Sequence, residues 1–283
     1  MGAADSVPGV SGGTMALIVG IYGRLLASIG QGFRAILAAV RFDRESAVRH
    51  VRGVEWRLVV PLAIGIGTAI AIAASFVPDL LVERPEESRG LFLGLVAASL
   101  VVPWREIRDR SGRSLAIAVA AAVPAFVLSG LPPGSVSDPA LPIVFAIAAV
   151  AVCAMILPGV SGAFLLLVFG LYEPTLRAVD DRNLLYLAVF AIGMVLGLGS
   201  FSLLLGRLLA RFHDVTMAAL VGLMAGSLRA LWPWQDDDRA LLAPDDPGLP
   251  IILALVGAMV VTVIQVTSRR ARRKVQAVDM PAE

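Results

Sequence analysis

Between Leu184 and Leu205 the chain runs for 22 residues without a charge. A helix of that length rises about 33 Å, enough to cross roughly 30 Å of hydrocarbon. Runs 58–77, 115–128, 141–157 and 249–266 repeat the pattern, and 90–102 and 215–231 are shorter versions. Lipid offers no partner to an open backbone, so only helices and closed barrels span it. These runs are continuously apolar and do not alternate, which predicts an all-α polytopic membrane protein. Composition agrees, with 58% hydrophobic and 16% charged residues, against roughly half and a quarter in soluble domains. A single soluble domain of this size has too little interior for so much apolar surface. The net charge of +2 gives no reason to expect nucleic acid. The lone Cys153 excludes an internal disulfide and a cysteine metal cluster.

Two apolar runs open on helix breakers. These are Val10–Tyr22 and Val160–Tyr172. About 12 helical residues rise only about 18 Å, so the segments 8–22 and 158–172 are expected to be re-entrant half-helices.

Charge assigns the sides. Seventeen basic residues fall in the loop 34–57, the loop 105–113, Arg207 with Arg211, and the tail from Arg269 to Lys274. Five fall in the remaining loops: Arg84, Arg89, Arg177, Arg182 and Arg239. The positive-inside rule places the first group and the C-terminus in the cytoplasm, and a cytoplasmic (inner) membrane location is expected. The acidic stretches 79–87 and 236–246 then fall outside.

The chain also repeats itself. Pro8-Gly9-Val10-Ser11-Gly12 returns as Pro158-Gly159-Val160-Ser161-Gly162, and the match continues through Gly20/Gly170 and Tyr22/Tyr172. A second match follows at another offset: Ala63-Ile64-Gly65 pairs with Ala191-Ile192-Gly193, and Gly94-Leu95 with Gly222-Leu223. With the loop charges, equivalent spans run in opposite directions. The reading is two inverted-topology repeats, 1–140 and 141–268, followed by a basic tail, 269–283. Each repeat holds a re-entrant half-helix and about three further membrane helices. Many secondary transporters are built this way, with the site at the midplane. The second motif has a lead-in helix, 141–157, whereas seven residues precede Pro8. The natural start is therefore expected upstream of Met1.

In each motif Pro and Gly break the incoming chain (Pro8, Gly9, Pro158, Gly159). Ser11 and Ser161 are good N-caps. Gly12, Gly13 and Thr14 follow the first, Gly162 and Ala163 the second. Small residues there leave orphan N–H groups open, and the helix dipole favours an anion beside them. These residues are the expected phosphate- or anion-binding set, with Arg24 as a further phosphate partner or a snorkelling cation. Asp5 and Glu173 are carboxylates suited to proton coupling. Arg229 lies within a short span and faces either a cavity or the interface. His50 and His213 read as solvated loop residues, and no metal or other cofactor is implied.

The segment Ala4-Asp5-Ser6-Val7-Pro8-Gly9-Val10-Ser11-Gly12-Gly13-Thr14 with Gly20-Ile21-Tyr22 resembles the signature of the PopT-type polyprenyl-phosphate transporters. The second motif, with Gly170-Leu171-Tyr172-Glu173, is similar to that family's second copy. The resemblance implies a transporter, not an enzyme. Its substrate would be undecaprenyl phosphate or a related polyprenyl monophosphate, moved across the bilayer for recycling of the cell-wall lipid carrier. Protons are the implied coupling ion, and a homodimer is compatible with it. The family's acid after the first Tyr is replaced here by Gly23. The residues by themselves support an anion-handling transporter, so a small-anion channel or exchanger is the second reading.

Overall fold

The computed structural model describes residues 12–73, 83–158, 160–236 and 238–278. These residues are mostly helical, with one isolated bridge between Gln235 and Leu241 in a loop. The expected all-α membrane architecture is what they adopt.

Helix α1 covers Gly12–Val19 and α2 covers Tyr22–Val40. Between them Gly20 adopts φ +74°, a left-handed conformation that a side chain would strain. The Gly20 N–H donates to the Leu17 carbonyl and the Ile21 N–H to that of Ala16, at 3.0 and 2.9 Å. The second hairpin repeats this at an offset of 150 residues. Gly170 has φ +71°, and the N–H groups of Gly170 and Leu171 donate to Leu167 and Leu166 at 3.1 and 2.8 Å. Its arms are α9 (Gly162–Val168) and α10 (Tyr172–Asp180), bent by 100°.

The charged loop after α2 is more ordered than the sequence suggests. It holds α3, Arg44–Arg52, capped by Asp43, whose Oδ1 accepts from the Ser46 N–H at 3.0 Å. None of its residues is buried. Val48, Val51 and Trp56 stay exposed, as suits a helix lying in an interface.

The remaining helices are α4 (Trp56–Ala73), α5 (Pro85–Ser99), α6 (Val101–Glu106), α7 (Gly112–Ser129), α8 (Leu141–Ile156), α11 (Leu184–Arg211), α12 (His213–Ser227) and α13 (Gly248–Val278). A 3₁₀ turn, Leu228–Leu231, extends α12. By length and composition α7, α11, α12 with its 3₁₀ turn, and the Gly248–Thr267 part of α13 can cross a membrane. Helix α11 has 28 residues and outruns its apolar stretch into Arg207 and Arg211. The short span expected over 90–102 starts earlier, at Pro85, whose fixed φ suits a first helical turn. Leu184, Leu255 and Ile64 are exposed; such apolar surface is at home in lipid. The chain is a multi-pass helical membrane protein.

Small residues decide which helices touch. Gly90 and Gly94 of α5 lie on the carbonyls of Pro250 and Ala254 in α13, and Gly222 and Gly226 of α12 lie on those of Ala118 and Ala122 in α7. Each pair joins helices that lie far apart in the sequence. Gly193 and Gly197 seat α11 on α8 in the same way, against Phe145 and Ala149. Helix α1 sits at the centre. Its Ala16 and Leu17 join Tyr22, Leu26, Ile107, Ile156, Leu205 and Leu220 in one buried cluster. The Tyr22 hydroxyl donates to the Ile156 carbonyl at 3.1 Å, tying the first hairpin to the residue where α8 ends.

Candidate functional site

Helix α8 stops at Ile156 and Leu157 turns extended, with φ −69° and ψ 125°. Pro158 follows and is fully buried; it has no N–H to continue a helix. Ser161 then caps α9, its Oγ accepting from the Phe164 N–H at 3.3 Å. The Leu165 N–H donates to the Ser161 carbonyl at 3.1 Å. The N–H groups of Gly162 and Ala163 have no acceptor among the described residues. Gly162 is pressed against the Ala151 carbonyl of α8, so α9 is fixed to the helix that delivers it.

Ser161 opens onto a cavity of about 230 Å³. The walls come from α7, α8, α9 and α12 and carry the hydroxyls of Ser129, Ser161 and Ser227 among apolar side chains such as Leu128, Leu165 and Leu223. Among the described residues no charged side chain lines it. Cys153 is in the wall, with its thiol 3.5 Å from the Gly197 carbonyl, consistent with a packing role.

One arginine, Arg239, rests on a residue of the cavity wall. The Arg239 guanidinium lies 4.4 Å from the centre of the Phe164 ring, and Phe164 lines the cavity. Burial holds the Arg239 pKa below its ordinary value, and the neighbouring charge of Arg89 adds to the effect. Arg89 donates from Nη1 to the Pro233 carbonyl at 3.2 Å. Arg229 lies over the Phe126 ring at 4.7 Å and donates from Nη1 to the Phe126 carbonyl at 3.4 Å. Its Nε–H is buried and makes no hydrogen bond to any described residue.

The other residues singled out in the sequence are dispersed. Gly12, Gly13 and Thr14 are buried at the start of α1 and do not line this cavity. Asp5, Pro8, Gly9, Ser11 and Gly159 lie outside the described residues. Arg24 is engaged by both carboxylate oxygens of Glu55, with Nε–Oε2 at 3.0 Å. That pairing holds the Glu55 carboxyl below its ordinary pKa. The Arg24 side chain is 57% exposed and is not brought to the cavity. Glu173 is also exposed, 3.9 Å from Arg177, and the two line a separate cavity of about 300 Å³ with Ser135 and Ser137. His50 is not simply solvated: its Nδ1 lies 2.8 Å from Oε1 of Gln31. His213 is 3.2 Å from Asp214, whose carboxylate accepts from the N–H groups of Arg108 and Asp109 at 3.2 and 3.0 Å. Among the described residues no group of three His, Cys, Asp or Glu side chains is arranged to hold a metal.

Sequence reasoning passed over Arg239 and Arg89, counting them only toward topology. The available signal was an arginine within a run of aspartates, next to Trp232 and Trp234.

A family model described as undecaprenyl phosphate translocase-like matches residues 1–245. The chain belongs to that family. The match takes in both Pro-Gly-Val-Ser-Gly motifs and the loop carrying Arg239. A polyprenyl-phosphate transporter of Vibrio cholerae serotype O1 (strain ATCC 39315 / El Tor Inaba N16961) is 41% identical over 237 residues, covering 83% of this chain and 76% of the relative. No solved structure matches the chain.

Proposed function

We propose that this protein translocates a polyprenyl monophosphate, of the undecaprenyl phosphate class, across the cytoplasmic membrane and does no chemistry on it. The observation that carries this reading is the family match across residues 1–245, with a relative named for polyprenyl-phosphate transport at 41% identity. The cavity at Ser161 supplies a mechanism. The free N–H groups of Gly162 and Ala163 and the Ser161 hydroxyl offer the phosphate donors at a helix start, where the dipole favours negative charge. The largely apolar walls suit the first isoprene units, and the rest of the tail remains in lipid. The first motif, Ser11 with Gly12, Gly13 and Thr14, forms the counterpart in the other repeat. Arg24, held by Glu55, braces the first hairpin rather than binding substrate. Rocking of one inverted repeat, 1–140, against the other, 141–268, exposes the phosphate to either leaflet in turn. Asp5 and Glu173 remain the carboxylates for proton coupling.

The test is flux in proteoliposomes. Polyprenyl phosphate is loaded in one leaflet and its arrival in the other is timed, with halide release followed in the same vesicles. Faster lipid movement without halide leak is expected. Halide flux with static lipid would replace this reading with a small-anion channel.

A further inference from the structure

Helices α2 and α11 touch along one part of their length and stand apart along another. A Cβ on Gly30 of α2 would meet Cδ2 of Leu203 in α11 at 2.8 Å, and a Cβ on Gly199 of α11 would strike the Phe33 ring of α2. Toward the start of α2 and the end of α11 there is room: a Cβ on Gly23 or on Gly206 meets nothing within 4 Å. The space between the two helices is a groove of about 380 Å³. Leu26, Leu203 and Leu209 give it an apolar bed, and Gln31, Arg34 and Arg207 give it polarity and charge. Ser202 also lines it but spends its hydroxyl on the Gly199 carbonyl, at 2.8 Å.

A single exposed arginine at a helix end is ordinary in a membrane protein. This pair differs in that the two come from separate helices and line one groove, whose described lining includes no acidic side chain. Arg24, Arg49 and Arg177 each reach a glutamate. Neither Arg34 nor Arg207 forms an ion pair with any described carboxylate. Gln31 adds a neutral donor, because His50 Nδ1 occupies its Oε1 at 2.8 Å and leaves the NH2 uncommitted among the described residues. Guanidinium forks match phosphate oxygens two at a time, and an apolar bed beside them matches a hydrocarbon chain. Both arginines belong to the basic set that the positive-inside rule assigns to the cytoplasmic face. Basic pockets between helices on that side bind anionic headgroups.

We propose that the groove between α2 and α11 holds an anionic phospholipid of the bilayer, with its phosphate on Arg34 and Arg207 and an acyl chain along Leu26, Leu203 and Leu209. Both arginines are exposed, which suits a lipid that exchanges with the surrounding leaflet. The groove shares no lining residue with the Ser161 cavity, so the proposal stands apart from the transport reading. Arg34 lies in the segment 1–140 and Arg207 in 141–268, and one headgroup bound by both links the two halves of the chain.

The full chain in detergent is titrated with phosphatidylglycerol, phosphatidylcholine of the same acyl chains, farnesyl monophosphate and inorganic phosphate. The first bound molecule is followed by native mass spectrometry in wild type, Arg34→Gln, Arg207→Gln, the double variant and Gly206→Phe. Phosphatidylglycerol should bind wild type more tightly than phosphatidylcholine does. A basic residue at an anionic headgroup contributes about fivefold, so each single Gln variant should lose about that much and the double variant about 25-fold. Gly206→Phe keeps both charges and puts a ring into the open part of the groove, so it should weaken both phospholipids. Wild-type affinity for phosphatidylglycerol in the folded double variant would overturn the proposal; should the double variant not fold, the same result in both single variants does so. Phosphatidylglycerol binding untouched by Gly206→Phe would overturn the groove as the seat of the chain. Farnesyl monophosphate held more tightly than phosphatidylglycerol by the same arginines would overturn the assignment to a bilayer lipid, and inorganic phosphate held as tightly would remove the lipid altogether.

Discussion

Alanine at Gly94 and alanine at Gly65 should have opposite effects on stability. Both glycines lie inside helices, α5 and α4, where Gly is about 0.5–1 kcal/mol less favourable than Ala. A Cβ on Gly65 meets nothing within 4 Å. That substitution should therefore stabilise by about that amount. A Cβ on Gly94 collides with the carbonyl of Ala254 in α13. The Cβ is fixed by its own backbone and the atom it meets is backbone, so no rotamer change relieves the overlap and the helices must part. Overpacking of this kind costs about 1–3 kcal/mol, and the upper part of that range applies where nothing can yield. Set against the propensity gain, Gly94→Ala should destabilise by about 1–2 kcal/mol. Gly222→Ala, pressed on the Ala118 carbonyl, should lose a similar amount, because the α12–α7 contact is built the same way. The assay is thermal unfolding of purified protein in detergent, followed by tryptophan fluorescence. On the usual scale a loss of this size moves the midpoint by on the order of 5 °C. A Gly94→Ala protein as stable as Gly65→Ala would refute the close approach of α5 and α13, and with it this long-range packing.

The other predictions concern the site and its supports. Ser161→Leu should abolish lipid flux in proteoliposomes while the protein stays folded, since it removes the hydroxyl and fills the cavity with an apolar side chain; full flux would remove Ser161 from the site. Tyr22→Phe breaks the 3.1 Å bond to the Ile156 carbonyl and leaves that carbonyl buried, so a loss of about 1–3 kcal/mol is expected, readable in the same thermal assay. The Asp43 carboxyl accepts from Ser46 at the start of α3, and this hydrogen bond holds its pKa below the ordinary 3.8. Its contribution to α3 should be present in full above that ordinary value and fade as the pH falls through the lowered one. Amide exchange at Ser46 should accelerate over that acid window in wild type and be insensitive to it in Asp43→Ala.

The apolar runs and the glycines carried most of the fold to the surface of the sequence. An uncharged run such as 184–205 has one physical outcome in lipid, and Gly20 and Gly170, 150 residues apart, mark two turns with the same hydrogen bonds. Helix ends and the interfacial helix α3 were less legible. Leu100 separates α5 from α6 through a local break that periodicity does not register, and Arg44–Arg52 reads as a charged loop until Asp43 is seen to cap it. The local geometry of the candidate site was legible for the same reason: Pro158 ends a helix and Ser161 caps the next one, effects that are local and readable from the chain. Arg24, Arg229 and Arg239 are chemically alike in sequence, and only packing tells them apart. Arg24 found Glu55, 31 residues away. Arg239 came to rest on Phe164, 75 residues away, with no described carboxylate to neutralise it. A cation's role is set by whether an acid reaches it first, which is a property of the fold.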